Sequence, residues 1–171
     1  MVTTGNPLFA DCARAFRSHG LDGNREMVWE GYNYRLTDFQ CALGMSQLAR
    51  LDEIVEDRRL VASWYDEALT GTVVHPLGQT PRVRHSYHLY VVRIPNRDKA
   101  LAFLRSKGIG VQVHYRPVHM HQYYQFLMGT STGLCPVAEQ AYEEILSIPV
   151  YSGLSLYDQH FVVDELLEAV Q

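Results

Sequence analysis

Lysine is nearly missing from this sequence: of its 15 lysines and arginines, only Lys99 and Lys107 are lysines. Chemistry that needs a lysine amine, such as capture of a carbonyl as a Schiff base, therefore has two candidates at most. Both have structural explanations. Lys99 falls among polar residues near the start of a helical pattern, and Lys107 precedes Gly108, where a cation favours a helix end. Cysteine is also scarce. Cys12, Cys41 and Cys135 are odd in number, far apart and without CxxC spacing, which argues against a disulfide framework or a zinc knuckle and leaves three reduced packing thiols. Positive charge is not in excess either: the formal net charge is -4, so there is no basic field to hold a nucleic-acid backbone or an anionic membrane. No apolar run approaches the roughly 20 residues that span a bilayer. The start, Met1 to Pro7, lacks the charged-then-apolar plan of a signal peptide. The expected location is cytoplasmic, with neither nucleic acid nor membrane as partner.

What is present is enough apolar residue for a real core: 47% of 171 residues are hydrophobic, which predicts one to two globular units. Three pieces are expected. Residues 1–30 carry a helical pattern (Leu8, Phe9, Cys12, Ala13, Phe16) that stops near Gly20 and cannot form a domain alone. Residues 31–70 hold a motif loop and then one long helix. Thr37 and Gln40 form a capping box, and Leu43, Leu48, Leu51, Ile54, Val55, Val61 and Tyr65 recur at helical spacing until Gly71. A helix of roughly 33 residues is long for a globular domain and suits a strut between two lobes.

Residues 71–171 read as a small α+β domain. His85 to Ile94 predicts a strand, Arg97 to Lys107 an amphipathic helix, and Gly108 to Tyr115 a return to extended structure, a βαβ-like unit. Pro136 opens a helix over 137–146, residues 148–151 form a short strand, and Ser155 with Asp158 caps a last helix reaching Val170.

Several residues invite chemical readings. Asn33 is either a turn asparagine ahead of a helix or an amide whose two donors can bind a phosphate oxygen. Arg35 offers bidentate contacts to phosphate or carboxylate, or an interfacial ion pair. Tyr32 and Tyr34 are packing aromatics or ligand contacts. His114, His119 and His121 alternate along an extended segment, but no nearby cysteine or carboxylate completes a tetrahedral set and Pro117 interrupts the geometry, so no metal is expected. His114, Tyr115 and His119 read instead as a loop lining a substrate pocket, or as a satisfied histidine cluster at a domain seam. Gly108-Ile109-Gly110 follows a helix and precedes a strand, the reverse of a phosphate loop. No G-x-S-x-G nucleophile elbow is present.

The run Val2-Thr3-Thr4, then Arg17-Ser18-His19-Gly20, then Gly31-Tyr32-Asn33-Tyr34-Arg35 and its helix resembles the DegT/DnrJ/EryC1/StrS aminotransferases in order and spacing, over the whole chain. The signature from Val111 through His119 and the segment Leu146-Ser147-Ile148-Pro149 most resemble the branch that aminates UDP-4-keto-6-deoxy-amino sugars toward pseudaminic acid. One departure is His121-Gln122-Tyr123-Tyr124, where relatives often place proline before the aromatic pair.

The resemblance implies an α/β, fold-type-I pyridoxal phosphate transferase (aspartate aminotransferase-like), of which this chain is the C-terminal part: the end of the large domain, a long interdomain helix and the small domain. It implies a pyridoxal 5'-phosphate cofactor, a nucleotide-sugar substrate, glutamate as donor and a homodimer. It casts Asn33 as reaching across the dimer to the partner subunit's cofactor phosphate. Arg35, Tyr34, His114, Tyr115 and His119 become substrate contacts. In that family the Schiff-base lysine lies a few residues upstream of a Gly-Gly-Met-Val-Thr-Thr-like strand, so Met1 aligns with an internal methionine. The expectation is then a truncated, inactive frame with no catalytic residue of its own. A non-catalytic binding or assembly module, or half of a split enzyme, are the alternatives.

Overall fold

The computed structural model describes residues 2–171, and Met1 lies outside them. The chain divides into two compact units, one ending at Arg50 and the other running from Leu51 to Gln171.

The first unit opens with α1 (Pro7–Arg17). Proline stands in its first turn, and the Asn6 side chain caps it by accepting the Phe9 N–H at 3.3 Å. The next helix, α2 (Asp38–Leu48), has the expected capping box: the Thr37 hydroxyl accepts the Gln40 N–H, and the Gln40 side chain accepts the Thr37 N–H. No residue of α2 is buried in this unit, and Phe39, Leu43, Met45 and Leu48 are all exposed.

The single long helix is not observed. α2 stops at Leu48, and a separate helix, α3 (Leu51–Ala68), begins three residues later. Ala49 keeps right-handed helical dihedrals, but the Arg50 N–H takes the Gln47 carbonyl, three residues back rather than four, and the turn tightens. No glycine or proline marks the break. The apolar stripe through Leu43, Leu48 and Leu51 runs continuously across it, yet all three side chains are exposed, so no packing holds the helix continuous there.

The second unit carries the core. α3 buries Val61, Ala62 and Tyr65, and the chain leaves it through Gly71 at φ +77, a left-handed value that suits glycine. Strands β1 (His75–Pro76), β2 (Tyr90–Arg93) and β3 (Ile145–Ile148) form an antiparallel sheet in the order β1-β2-β3. The β2–β3 register pairs Tyr90 with Ile148 and Val92 with Leu146. These four side chains share one face and are buried with Tyr65, Leu69, Leu104 and Leu166. Helices α4 (Arg97–Ser106) and α7 (Leu156–Ala169) supply the last two; the Ser155 hydroxyl caps α7 through the Asp158 N–H.

Between α4 and β3 lie a 3₁₀ turn (Val118–Met120), α5 (Gln122–Met128) and α6 (Pro136–Glu144). Of these the sequence pattern foretells only α6. A bridge between Gln112 and Ser147 sets the 110–115 segment on the far side of β3. Both β2 and Gln112 run antiparallel to β3, so the βαβ-like unit is split, with β3 inserted between its two extended arms.

Other boundaries move. The expected strand over 85–94 contracts to Tyr90–Arg93. Tyr87 sits at φ +45, and the carbonyls of Tyr87 and His88 accept from Arg58 rather than from a neighbouring strand. The strand expected at 148–151 lies at Ile145–Ile148, and β1 has too few residues to show a period.

Candidate functional site

The Gly31–Arg35 motif is positioned by two glycines in close approach. A Cβ at Gly31 would fall 1.9 Å from the Gly20 nitrogen, and one at Gly20, already at φ +73, would fall 1.8 Å from the Trp29 carbonyl oxygen. Past this crossing, the motif zips against the end of α1: the Tyr32 N–H donates to the Phe16 carbonyl (2.7 Å), His19 N–H to Tyr32 (2.9 Å) and Tyr34 N–H to Arg17 (2.9 Å). Tyr32 and Tyr34 stack at 5.2 Å with a 10° interplanar angle, and Phe16 meets both edge-on. In an extended segment alternate side chains share a face, so Asn33 and Arg35 lie opposite the stacked tyrosines. Both are exposed, and Arg35 makes no ion pair among the described residues. The loop thus offers an amide and a guanidinium side by side on an aromatic support. Tyr34, expected as a substrate contact, is engaged in the stack but remains 64% exposed.

The histidine segment belongs to the second unit and separates into two places. Ser147 lies on the sheet face opposite Leu146 and Ile148, and its hydroxyl meets His114 Nδ1 at 2.8 Å. The two help line a cleft of about 450 Å³ together with His88, Arg105 and Gln112. Arg105 donates from Nε and Nη2 to the Val111 carbonyl, tying α4 to the same segment. Tyr115 packs edge-on against His114 and is 69% exposed.

His119 is elsewhere. Its Nε2 meets Glu139 Oε1 at 2.8 Å, and because a carboxylate only accepts, that nitrogen carries the hydrogen. Glu139 also accepts the N–H groups of Gly133 and Cys135, and Thr130 donates to the His119 carbonyl. The Gly133 amide first, then His119, holds the Glu139 carboxyl below its ordinary value, as hydrogen bonds to a charged form do. This knot fastens the loop between α5 and α6.

Sequence reasoning did not single out Glu139 or Ser147. Ser147 had a signal, as the lone polar residue in Ile145-Leu146-Ser147-Ile148. Glu139 had none beyond an acid in a first helical turn. Among the described residues no group of histidine, cysteine and carboxylate could hold a metal ion.

The two lysines have defined surroundings. Lys107 Nζ lies 2.8 Å from Glu165 and over the Phe103 ring at 4.8 Å; the bond to Glu165 raises its pKa. Lys99 is exposed on α4.

These loops and their order along the chain match a family model for the DegT/DnrJ/EryC1/StrS aminotransferase family over residues 1–167. The chain belongs to that family. It is 34% identical over 183 aligned positions to the UDP-4-amino-4,6-dideoxy-N-acetyl-beta-L-altrosamine transaminase of Campylobacter jejuni, covering 99% of this chain and 47% of that protein. Its structure is similar to Helicobacter pylori PseC, an aminotransferase of pseudoaminic acid biosynthesis, with a TM-score of 0.89 at 29% identity over 98% of this chain and 47% of the other. It is also similar to S. venezuelae DesV in complex with a ketimine intermediate, with a TM-score of 0.91 at 29% identity over 99% and 46%. The chain spans about half the length of these relatives. Its α/β architecture is that of the C-terminal part of the family fold. No helix among the described residues is long and apolar enough to cross a membrane.

Proposed function

We propose that this chain is the C-terminal half of a pyridoxal phosphate-dependent aminotransferase that moves an amino group from glutamate onto a nucleotide-linked 4-keto-6-deoxy sugar. The observation that carries the reading is the family match across nearly the whole chain, with the relatives in UDP-sugar and pseudaminic acid chemistry in support. The residues present fit only part of a cofactor site. Asn33 offers amide donors for a phosphate, and Arg35 beside it suits a diphosphate or a carboxylate. Neither lysine suits the aldehyde end: Lys107 is held by Glu165, and Lys99 is exposed on α4. The chain alone is therefore read as inactive, with the Schiff-base lysine supplied by residues outside it.

In the complete protein the cofactor supplies an electron sink. This chain's part is recognition. Ser147 fixes the His114 ring, so that its other nitrogen and the Tyr115 hydroxyl are set to bond sugar hydroxyls or phosphate oxygens. His119, committed to Glu139, would act on substrate by shaping its loop. The exposed apolar side chains of α2 favour association and are consistent with a homodimer, with a split enzyme, or with a non-catalytic assembly module.

The test is complementation. Mixed with a polypeptide bearing the lysine segment of a relative, this chain should support glutamate-dependent amination of a UDP-4-keto sugar. Asn33→Ala should then weaken cofactor retention by roughly 1–3 kcal/mol, the cost of an unpaired buried partner. Retention unchanged by Asn33→Ala in an active mixture would return Asn33 to a turn role. No activity in any mixture would favour the assembly module.

A further inference from the structure

The cleft of about 450 Å³ beside β3 falls within the range of small-molecule sites, about 300–1,000 Å³, and its lining carries no negative charge. Arg105, His88, His114, Gln112 and Ser147 border it, and no aspartate or glutamate does. Ser147 decides how His114 presents itself. The serine is 5% exposed, and its one hydroxyl hydrogen needs an acceptor. His114 Nδ1 lies 2.8 Å from that hydroxyl, which has no other partner among the described residues. A serine that donates to Nδ1 leaves the hydrogen of the neutral ring on Nε2.

Arg105 stands in the last turn of α4, where the helix dipole alone favours a cation, so its charge by itself calls for no ligand. Its fixed setting is the further observation. Two of its five N–H donors, on Nε and Nη2, go to the Val111 carbonyl at 3.2 and 3.1 Å, and no carboxylate pairs with the guanidinium among the described residues. The next residue, Gln112, exchanges both backbone N–H···O bonds with Ser147, at 3.2 and 2.8 Å. Guanidinium and imidazole are thus held to one stretch of backbone beside β3.

We propose that this cleft binds a phosphate group of its ligand, with Arg105 as counter-charge and His114, set by Ser147, as an N–H donor through Nε2. Ser147 is then a positioning residue, and His114 is a donor rather than a base. A sugar hydroxyl could accept from Nε2 but would leave the guanidinium without a counter-charge, and a cation would meet Arg105. A carboxylate has two oxygens to share among Arg105, His114 and Gln112, whereas a phosphate has three. The assignment rests on the aminotransferase reading only for which phosphate compound arrives, since the binding itself needs no cofactor.

The test is nitrogen-15 NMR of the histidine side chains in the full chain at pH 8, where an imidazole is ordinarily neutral. His114 should show its hydrogen on Nε2, and Ser147→Ala should shift it toward a mixture of the two tautomers. Pyrophosphate, UDP, uridine and glutamate are then titrated in. Saturable His114 shifts are expected with pyrophosphate and UDP, at concentrations about tenfold or more below any response to uridine or glutamate. UDP tighter than pyrophosphate marks a nucleotide-borne diphosphate, and equal binding marks a bare one; both support the site. Arg105→Gln should weaken binding by about tenfold or more, with partial rescue in Arg105→Lys. Backbone spectra check folding, and should Arg105→Gln fail to fold, the tautomer and the ligand series carry the test. A hydrogen on Nδ1, no saturable shift with either phosphate compound, binding unchanged in Arg105→Gln, uridine equal to UDP, or glutamate as tight as pyrophosphate would each overturn the assignment. Turnover plays no part in these readings, so phosphate binding without amino transfer in any mixture would sink the aminotransferase reading and leave the site standing.

Discussion

Replacing Tyr65 by phenylalanine separates the hydrogen bond at the centre of the core from the packing around it. The Tyr65 ring is fully buried, lies 5.0 Å from the Tyr90 ring, and donates from its hydroxyl to the Pro149 carbonyl at 3.0 Å. Removing the hydroxyl keeps the ring but orphans that carbonyl, which costs roughly 1–3 kcal/mol. Tyr65→Ala removes the ring as well, and large-to-small aromatic changes in a core cost about 3–5 kcal/mol. Packing should therefore outweigh the hydrogen bond. Urea unfolding followed by Trp64 fluorescence, in the Trp29→Phe background, reports on this unit because Trp64 packs against Tyr65. With a slope of about 2 kcal/mol per molar, a loss of about 2 kcal/mol moves the midpoint by about 1 M. A midpoint unmoved by Tyr65→Phe at constant slope, or a Tyr65→Ala effect no larger than that of Tyr65→Phe, would refute the reasoning.

Two further predictions concern the loops. Gly31→Ala forces a Cβ against the Gly20 backbone and should destabilise the first unit by about 1–3 kcal/mol or more, read as lost hydrogen-exchange protection at the His19 and Tyr32 amides; retained protection would contradict the close crossing. Glu139 has a folded pKa below its unfolded value, so its contribution is complete above that unfolded value, near 4.5, and is lost as pH falls through the folded one. The Gly133 and Cys135 amides should lose protection on acidification in the wild type, whereas Glu139→Gln should show weaker protection with little pH dependence.

Capping and punctuation were the most legible part of the fold. Thr37 with Gln40, Ser155 with Asp158, Pro136 and Gly71 each stand where local hydrogen bonding or backbone freedom dictates, without tertiary help. The break at Ala49–Arg50 was not legible, because the stripe of leucines that predicts continuity finds nothing to pack against in these residues. The strand shifts have a similar origin. Residues 85–94 as a whole are rich in strand-forming types, yet Arg58 and Arg59, about 26–30 positions earlier, take the His85, Tyr87 and His88 carbonyls that a ladder would need. At the candidate site, the motif loop was legible as a unit. The division of the histidine segment was not, since it depends on Ser147 and Glu139, which lie 33 and 20 positions from their partners.

The most direct test of the central claim is to incubate the purified chain with pyridoxal phosphate, reduce with borohydride and map the adducts, while assaying amino transfer from glutamate to a UDP-keto sugar. With Lys107 held by Glu165 and Lys99 exposed on α4, labelling should be scattered and substoichiometric, without turnover. Stoichiometric labelling of one lysine together with turnover would contradict the account.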